Sequence, residues 1–375
     1  MTVDTILARA RDGARLSPED ALTLYREGEF IRLGAAAHAA RARRTDPGTV
    51  TYLVDRNINY TNVCITDCLF CAFYRPPGHP EAYVLSRGEL AVKMDELRAE
   101  GGTRVLLQGG HHPDLRLSWY EDLLRWMRDR WPDIEADAFS PSEVTHFAAV
   151  EGIPVADVLR RLADAGLAGL PGGGAEILDD DVRDEISPKK LRTAGWLEAM
   201  RLAHALGLAT TASMVIGFGE TWEQRVRHLQ RLRDLQDESI ARHGRGFTAF
   251  VSWTAQLDTV PMSGLVRRKG LRPAGAQEYL RNIAVARLFL DNFDHHGASW
   301  PTQGVAIAQV ALHAGCDDYG STMMEENVVS QAGNATLCAI LSEEMQIQIR
   351  EAGFVPAQRD TRYNILRRFE GVPAV

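Results

Sequence analysis

At 375 residues, with 45% hydrophobic and 25% charged residues, the chain has the make-up of a globular protein long enough to bury a large core. A net charge of -8 at pH 7 argues against a nucleic-acid or anionic-membrane surface, which needs a basic face, and leaves a small molecule as the expected partner. No run of about twenty apolar residues exists and Met1-Thr2-Val3-Asp4 lacks a signal pattern, so a reducing, cytoplasmic setting is expected, one in which the five cysteines stay unpaired.

The first fifty residues read as an N-terminal helical cap (1–50). Its helices run from Val3 to Ala14, from a Ser17-Pro18-Glu19-Asp20 cap to Glu27, and from Phe30 to Arg44. At Thr49 the pattern turns to strand, in Thr51-Tyr52-Leu53-Val54 and Asn57-Ile58-Asn59-Tyr60. That strand leads into Cys64, Cys68 and Cys71, three thiols within eight residues. Thiolates at CxxxCxxC spacing can each take one iron of a 4Fe-4S cluster, leaving the fourth iron without a protein ligand. An iron with open positions can chelate the amine and carboxylate of S-adenosylmethionine. A zinc site would pair the cysteines with a second Cys or His pair, and none is present: Cys316 and Cys338 are isolated, and His79 lies beyond a Pro-rich segment.

Beyond the loop, helices and strands alternate. Ser86-Arg87-Gly88-Glu89 is a capping box that opens a helix to Glu100, and Arg104 to Gln108 is a short buried strand. Helix Ser118 to Arg130, strand Ile134 to Phe139, helix Val155 to Ala165 and a strand near Ala168 to Leu170 follow. Helix Thr193 to Leu206 precedes strand Ala209 to Ile216, and helix Trp222 to Ala241 precedes strand Phe247 to Trp253. Helix Gln277 to Phe293 precedes Ala298-Ser299-Trp300, and helix Val305 to Ala314 precedes a strand around Cys316 to Tyr319. Eight strands with helices between them are the number that closes a (β/α)8 TIM-type barrel over 51–340; an open doubly wound sheet is the alternative. Residues 341–375 form a C-terminal helical tail on the barrel, and Asp258 to Gly275 is a long loop over its mouth.

Barrel chemistry sits after the carboxyl ends of strands. Gly109-Gly110 ends the second strand, where the missing Cβ atoms allow close approach, although a plain turn has the same sequence. Ser140 and Glu143 end the third strand, and Glu176 follows the glycines at 172–174. A carboxylate there can accept both hydroxyls of a ribose; Glu143 can equally be a first-turn helix carboxylate. His111 and His112 are adjacent and cannot serve one site, and His295-His296 reads as the exposed end of a helix. Asp317, Asp318, Glu325 and Glu326 cluster after the last strand. Uncompensated carboxylates at a barrel mouth are expensive unless they bind or move protons, so they are the candidate catalytic bases. Cys316 and Cys338 read as ordinary buried residues.

The cysteine motif, with Phe70 before its last cysteine, resembles the radical S-adenosylmethionine superfamily. From about residue 50 to 365 the chain also resembles the cyclic dehypoxanthinyl futalosine synthase family of the futalosine route to menaquinone. The segments that carry this include Asp55-Arg56-Asn57-Ile58-Asn59-Tyr60, Cys71-Ala72-Phe73-Tyr74-Arg75, Gln108-Gly109-Gly110-His111-His112, Gly173-Gly174-Ala175-Glu176, Met323-Met324-Glu325-Glu326-Asn327 and Val355-Pro356-Ala357-Gln358-Arg359. Trp253-Thr254-Ala255-Gln256 and Ser299-Trp300-Pro301-Thr302-Gln303-Gly304 look more like the cyclase than like aminofutalosine synthase or the deazaflavin-cofactor enzymes. The resemblance implies a 4Fe-4S cluster on Cys64, Cys68 and Cys71. It implies S-adenosylmethionine contacts from Phe70, Tyr74, Gly109, Gly110, Ser140, Glu143, Glu176 and Met214, with Gly109-Gly110 at the methionyl amine and the Met214 segment beside the adenine. It implies as partners dehypoxanthinyl futalosine and an electron donor such as flavodoxin or ferredoxin.

Overall fold

The computed structural model describes residues 1–332 and 339–370; Cys338 lies outside them. The N-terminal cap comprises helices Val3–Arg11, Pro18–Glu27 and Phe30–Ala42. Ser17 and Asp20 form a capping box, and buried Leu24 and Leu33 turn to the barrel. The buried hydroxyl of Tyr25 donates to Asn282 at 2.7 Å and pins the cap to the barrel's outer helices.

The strands are β1 (Thr49–Leu53), β2 (Asp55–Asn59), β3 (Arg104–Gln108), β4 (Glu135–Ala138), β5 (Leu167–Leu170), β6 (Ala209–Ile216), β7 (Ala249–Thr254), β8 (His295–Gly297), β9 (Asp318–Ser321), β10 (Val355–Arg359) and β11 (Ile365–Arg368). β1 and β2 are two halves of one strand, broken at Val54. The first half pairs with β9 and the second with β3, while β3 to β9 pair in sequence order, all parallel. Counting the broken strand once, eight parallel strands come full circle, as the alternation predicts. The break is stitched by Thr322 N–H to the Leu53 carbonyl at 3.0 Å and Asn57 N–H to the Met323 carbonyl at 2.8 Å.

Helices cover the outside by the usual amphipathic rule. In Val155–Ala165, Val158, Leu159, Leu162 and Ala165 are buried, and each large aliphatic side chain so placed contributes about 1.5–3 kcal/mol.

Several elements differ from expectation. Among the described residues of the C-terminal tail, helix runs only over Ser342–Glu351; β10 then adds parallel to β1 and β11 antiparallel to β10. Because β3 pairs with β2 and not with β1, the outer edge of β1 is left for β10 to cover. His295-His296 is β8 rather than a helix end, and His296 is fully buried against Phe250 and Phe293. Trp300 opens a short helix, Trp300–Gln303, instead of ending a strand. The stretch 258–275 contains helix Ser263–Lys269, held by buried Met262 and Leu265. An unanticipated helix, Pro141–Glu151, starts at Ser140, whose hydroxyl accepts the Glu143 N–H at 3.2 Å.

Candidate active site

All strand carboxyl ends meet at one face, and the cysteine loop arches across it. The loop closes on itself through Cys64 N–H to the Arg75 carbonyl and Arg75 N–H to the Asn62 carbonyl. Leu69 N–H donates to the Ile186 carbonyl and the Thr259 hydroxyl to the Leu69 carbonyl, both at 2.9 Å, so the loop is tied to the far side of the mouth. Beneath it the two glycines are required by packing. A Cβ on Gly109 would lie 2.5 Å from the Tyr60 ring, and one on Gly110 would lie 2.7 Å from the Cys64 Cβ.

Cys64, Cys68 and Cys71 are free thiols, and the Thr66 hydroxyl lies 3.0 Å from Cys64 Sγ and 3.6 Å from Cys68 Sγ. Burial pushes the Cys68 thiol up to about 11 and raises that of Cys71, so cations that displace the protons are what would make them thiolates. Among the described residues no three His, Cys, Asp or Glu side chains are grouped to hold a single metal ion. The donor set, three unpaired thiols on one loop with the glycine cradle against Cys64, fits a cluster held by Cys64, Cys68 and Cys71. Cys316 is buried on the lead into β9, away from this loop.

Below the loop lies a cavity of about 360 Å³ inside the barrel, within the usual range for small-molecule sites of about 300–1,000 Å³. Phe70, 5.4 Å from Phe218, roofs it, and Trp253, Trp300 and Gln108 line its walls. Glu176 lines it too, with a left-handed φ of 40°. Phe139, Met323 and Met324 share that conformation just after strand ends and Asp67 does so in the cysteine loop, strained backbone of the kind that functional sites hold. Glu176 is bonded by Lys190 at 2.8 Å and Arg183 at 3.4 Å, and the Lys190 ammonium stands 5.6 Å over the Phe70 ring. Glu176 and Lys190 charges and the Cys68 thiol thus share one corner.

The remaining sequence-predicted residues divide. Glu143 is buried, accepting Tyr60 O–H at 2.8 Å, Ser140 O–H at 2.8 Å and Gly109 N–H at 2.9 Å; burial pushes its carboxyl up to about 7. It is both a first-turn helix carboxylate and the anchor of the glycine pair. The side chain of Met214 is turned away from the cavity: Thr211, Ser213 and Val215 line it, and by strand alternation Met214 faces the helices, where the Asn282 amide approaches its sulfur at 3.7 Å. Tyr74 is half-buried beside the Cys71 thiol, to which its backbone N–H donates. His111 is buried and stacked on His146 at 4.8 Å, pushed down to about 3, a packing role.

The acidic group does not have the free carboxylates expected of it. Asp317 faces His295 Nδ1 at 2.6 Å and Arg287 at 3.8 Å. Asp318 is bound by Arg359 at 2.5 and 3.0 Å and by the Thr51 hydroxyl at 2.6 Å. Glu325 pairs with Arg56 and Lys93, and Glu326 accepts the N–H groups of Val328, Val329 and Ser330. Only Asp318 of the four lines the cavity. The cations that compensate them come from distant segments, which charge counting along the chain misses. Arg104 and Arg359, which line the cavity, and Lys190, which holds Glu176, were not anticipated either, although the arginine opening the buried strand Arg104-Val105-Leu106-Leu107-Gln108 is a sequence signal for an inward charge.

Residues 58–232 match the Radical SAM superfamily and 244–371 the CofH/MqnC C-terminal region. The cyclic dehypoxanthine futalosine synthase of Halalkalibacterium halodurans is 46% identical over 370 residues, covering 99% of this chain and 96% of that protein. The aminodeoxyfutalosine synthase of Streptomyces coelicolor is 38% identical over 369 residues, covering 97% and 94%. The crystal structure of methylornithine synthase superposes with a TM-score of 0.70 at 18% identity, covering 94% of this chain and 97% of that one, a likeness of fold. The barrel, the three-thiol loop across its mouth and these full-length likenesses establish that the chain is a radical S-adenosylmethionine enzyme belonging to the cyclic dehypoxanthine futalosine synthase family.

Proposed function

We propose that the enzyme converts dehypoxanthinyl futalosine to cyclic dehypoxanthinyl futalosine in menaquinone biosynthesis. The supporting observation is that the two cyclase-like segments, through Trp253 to Gln256 and through Trp300 to Thr302, both line the cavity under Phe70. A cluster on Cys64, Cys68 and Cys71, reduced by a donor such as flavodoxin or ferredoxin, would supply one electron to cleave S-adenosylmethionine, giving the 5′-deoxyadenosyl radical that takes the ribose 4′ hydrogen. The substrate's carbon radical adds to its own benzoate ring, and aromaticity is restored by loss of one proton and of one electron, for which the oxidised cluster would be the acceptor.

The chain's own part is orientation and exclusion of water. Gly109 and Gly110 give the cosubstrate's amine close access to backbone beside Cys64. Glu176, fixed by Lys190 and Arg183, retains acceptor capacity for ribose hydroxyls, with Ser140 and Glu143 fixing the wall behind it. Phe70 and Phe218 close the roof so that a reactive carbon meets one hydrogen. Asp318 is the member of the acidic group within reach of the cavity for the ring proton, once its bond to Arg359 loosens.

The test is product mass after anaerobic reconstitution. A product two hydrogens lighter than dehypoxanthinyl futalosine, formed without an amino acid, is the expected result. Turnover of free tyrosine, or addition to an enol-ether substrate, would move the protein to a sister activity.

A further inference from the structure

The cavity is not closed below by barrel side chains alone. Its floor is the turn between β10 and β11, at the end opposite the cysteine loop. The Asp360 carboxylate organises this turn by accepting the N–H groups of Arg362 at 2.8 Å and Asn364 at 2.9 Å. The turn carries Tyr363 in the left-handed region at φ 65°, with its ring between the Arg359 guanidinium at 3.8 Å and the His295 ring at 3.7 Å. Thr361 and Tyr363 both line the cavity.

The hydrogen-bonding capacity left at this floor is on the donor side. Thr361 is 5% exposed, and its buried hydroxyl has no partner among the described residues. The Tyr363 hydroxyl makes no hydrogen bond with any described residue. Arg104, which also lines the cavity, commits one N–H of each nitrogen to Asp55 and Asp137, so two of its five remain. Both oxygens of Asp318, the carboxylate lining this end of the cavity, are taken by Arg359, Thr51 and the Gly320 N–H. A buried hydroxyl without a partner in the wall of a cavity is costly unless a ligand supplies one.

We infer that this floor, built from Thr361, Tyr363 and Arg104, is the subsite for the substrate's aryl carboxylate. The inference rests on the proposed function. Position fits it: Arg104 and Gln108 mark the two ends of β3, four residues or about 13 Å apart along the strand. A substrate whose ribose reacts under the cysteine loop, on the Gln108 side, then has its aromatic end pointing at the floor, where the ring's carboxylate calls for donors. Both arginines are already matched by aspartates, so recognition comes from hydrogen-bond donors rather than net positive charge.

Thr361→Val and Tyr363→Phe each delete one hydroxyl with little change of bulk. Binding of dehypoxanthinyl futalosine and of its analogue lacking the aryl carboxylate is measured by anaerobic calorimetry on the reconstituted enzyme. Each substitution should raise the Kd for the natural substrate about tenfold and leave that for the analogue unchanged, with S-adenosylmethionine affinity unaltered. The double variant should lose about a hundredfold for the natural substrate, keeping only the preference that Arg104 supplies. Equal loss for both ligands, an unchanged Kd for the natural substrate, or no preference of the unmodified enzyme for the carboxylate would overturn the assignment. Product mass, read separately, reports on the reaction itself, so failure of the subsite and failure of the proposed function are distinct results.

Discussion

Gly110→Ala adds one methyl group at the point where β3 ends under the cysteine loop. The new Cβ would sit 2.7 Å from the Cys64 Cβ and closer still to the Val63 carbonyl. Carbon atoms at rest stay about 3.5–4.0 Å apart, so the two segments must separate by about 1 Å. They resist, because the Gly110 N–H is bonded to the Thr61 carbonyl at 3.1 Å and the loop is tied down at Arg75 and Leu69. Overpacking of this kind costs about 1–3 kcal/mol, and here the displaced atoms are backbone that carries a cluster ligand. The variant should therefore melt a few degrees lower without iron and take up well under half the iron of the parent on anaerobic reconstitution. Gly264→Ala, where an added Cβ meets nothing within 4 Å and φ is not left-handed, is the control and should match the parent. Full iron content with an unchanged melting temperature in Gly110→Ala would refute the packing argument.

Three further outcomes follow from the site. Replacing Cys64, Cys68 or Cys71 by Ala should abolish cluster absorbance and reductive cleavage of S-adenosylmethionine, whereas Cys316→Ala should retain both; activity in a loop variant would remove the cluster assignment. Glu176→Gln keeps the size and removes the charge, so S-adenosylmethionine affinity should fall several-fold with the cluster spectrum intact, and an unaltered affinity would show that Glu176 does not touch the cosubstrate. Burial moves the Glu143 carboxyl from an ordinary 4.5 to about 7, so the stability it lends is complete below about 4.5 and is lost as pH rises through about 7. The metal-free protein should thus lose up to about 3 kcal/mol between pH 5 and 8, and Glu143→Gln should flatten that slope; an equal slope in the variant would show that Glu143 is not its source.

Much of this was legible in the chain because it is local. The cysteine spacing, the Ser86 capping box and the alternation of helix and strand depend on neighbours a few residues apart. What was not legible depends on partners far away in sequence. The acidic residues at and after the start of β9 look free in the sequence, but Arg359, Arg287 and Lys93 come from separate segments to pair with Asp318, Asp317 and Glu325. Met214 sits in the right strand on the wrong face, since a strand buried on both sides has no alternation to show which residues point inward. The C-terminal tail reads as helix because β10 takes its strand form from the open edge of β1. Gly109 and Gly110 read as a ligand loop, and the structure adds that Tyr60 and Cys64 need them small.

The most direct test of the central claim uses dehypoxanthinyl futalosine deuterated at the ribose 4′ carbon, with the reduced enzyme and S-adenosylmethionine. Deuterium in 5′-deoxyadenosine together with a cyclised nucleoside product is the predicted result. Deuterium retained in the product, or label entering 5′-deoxyadenosine only from solvent, would contradict it.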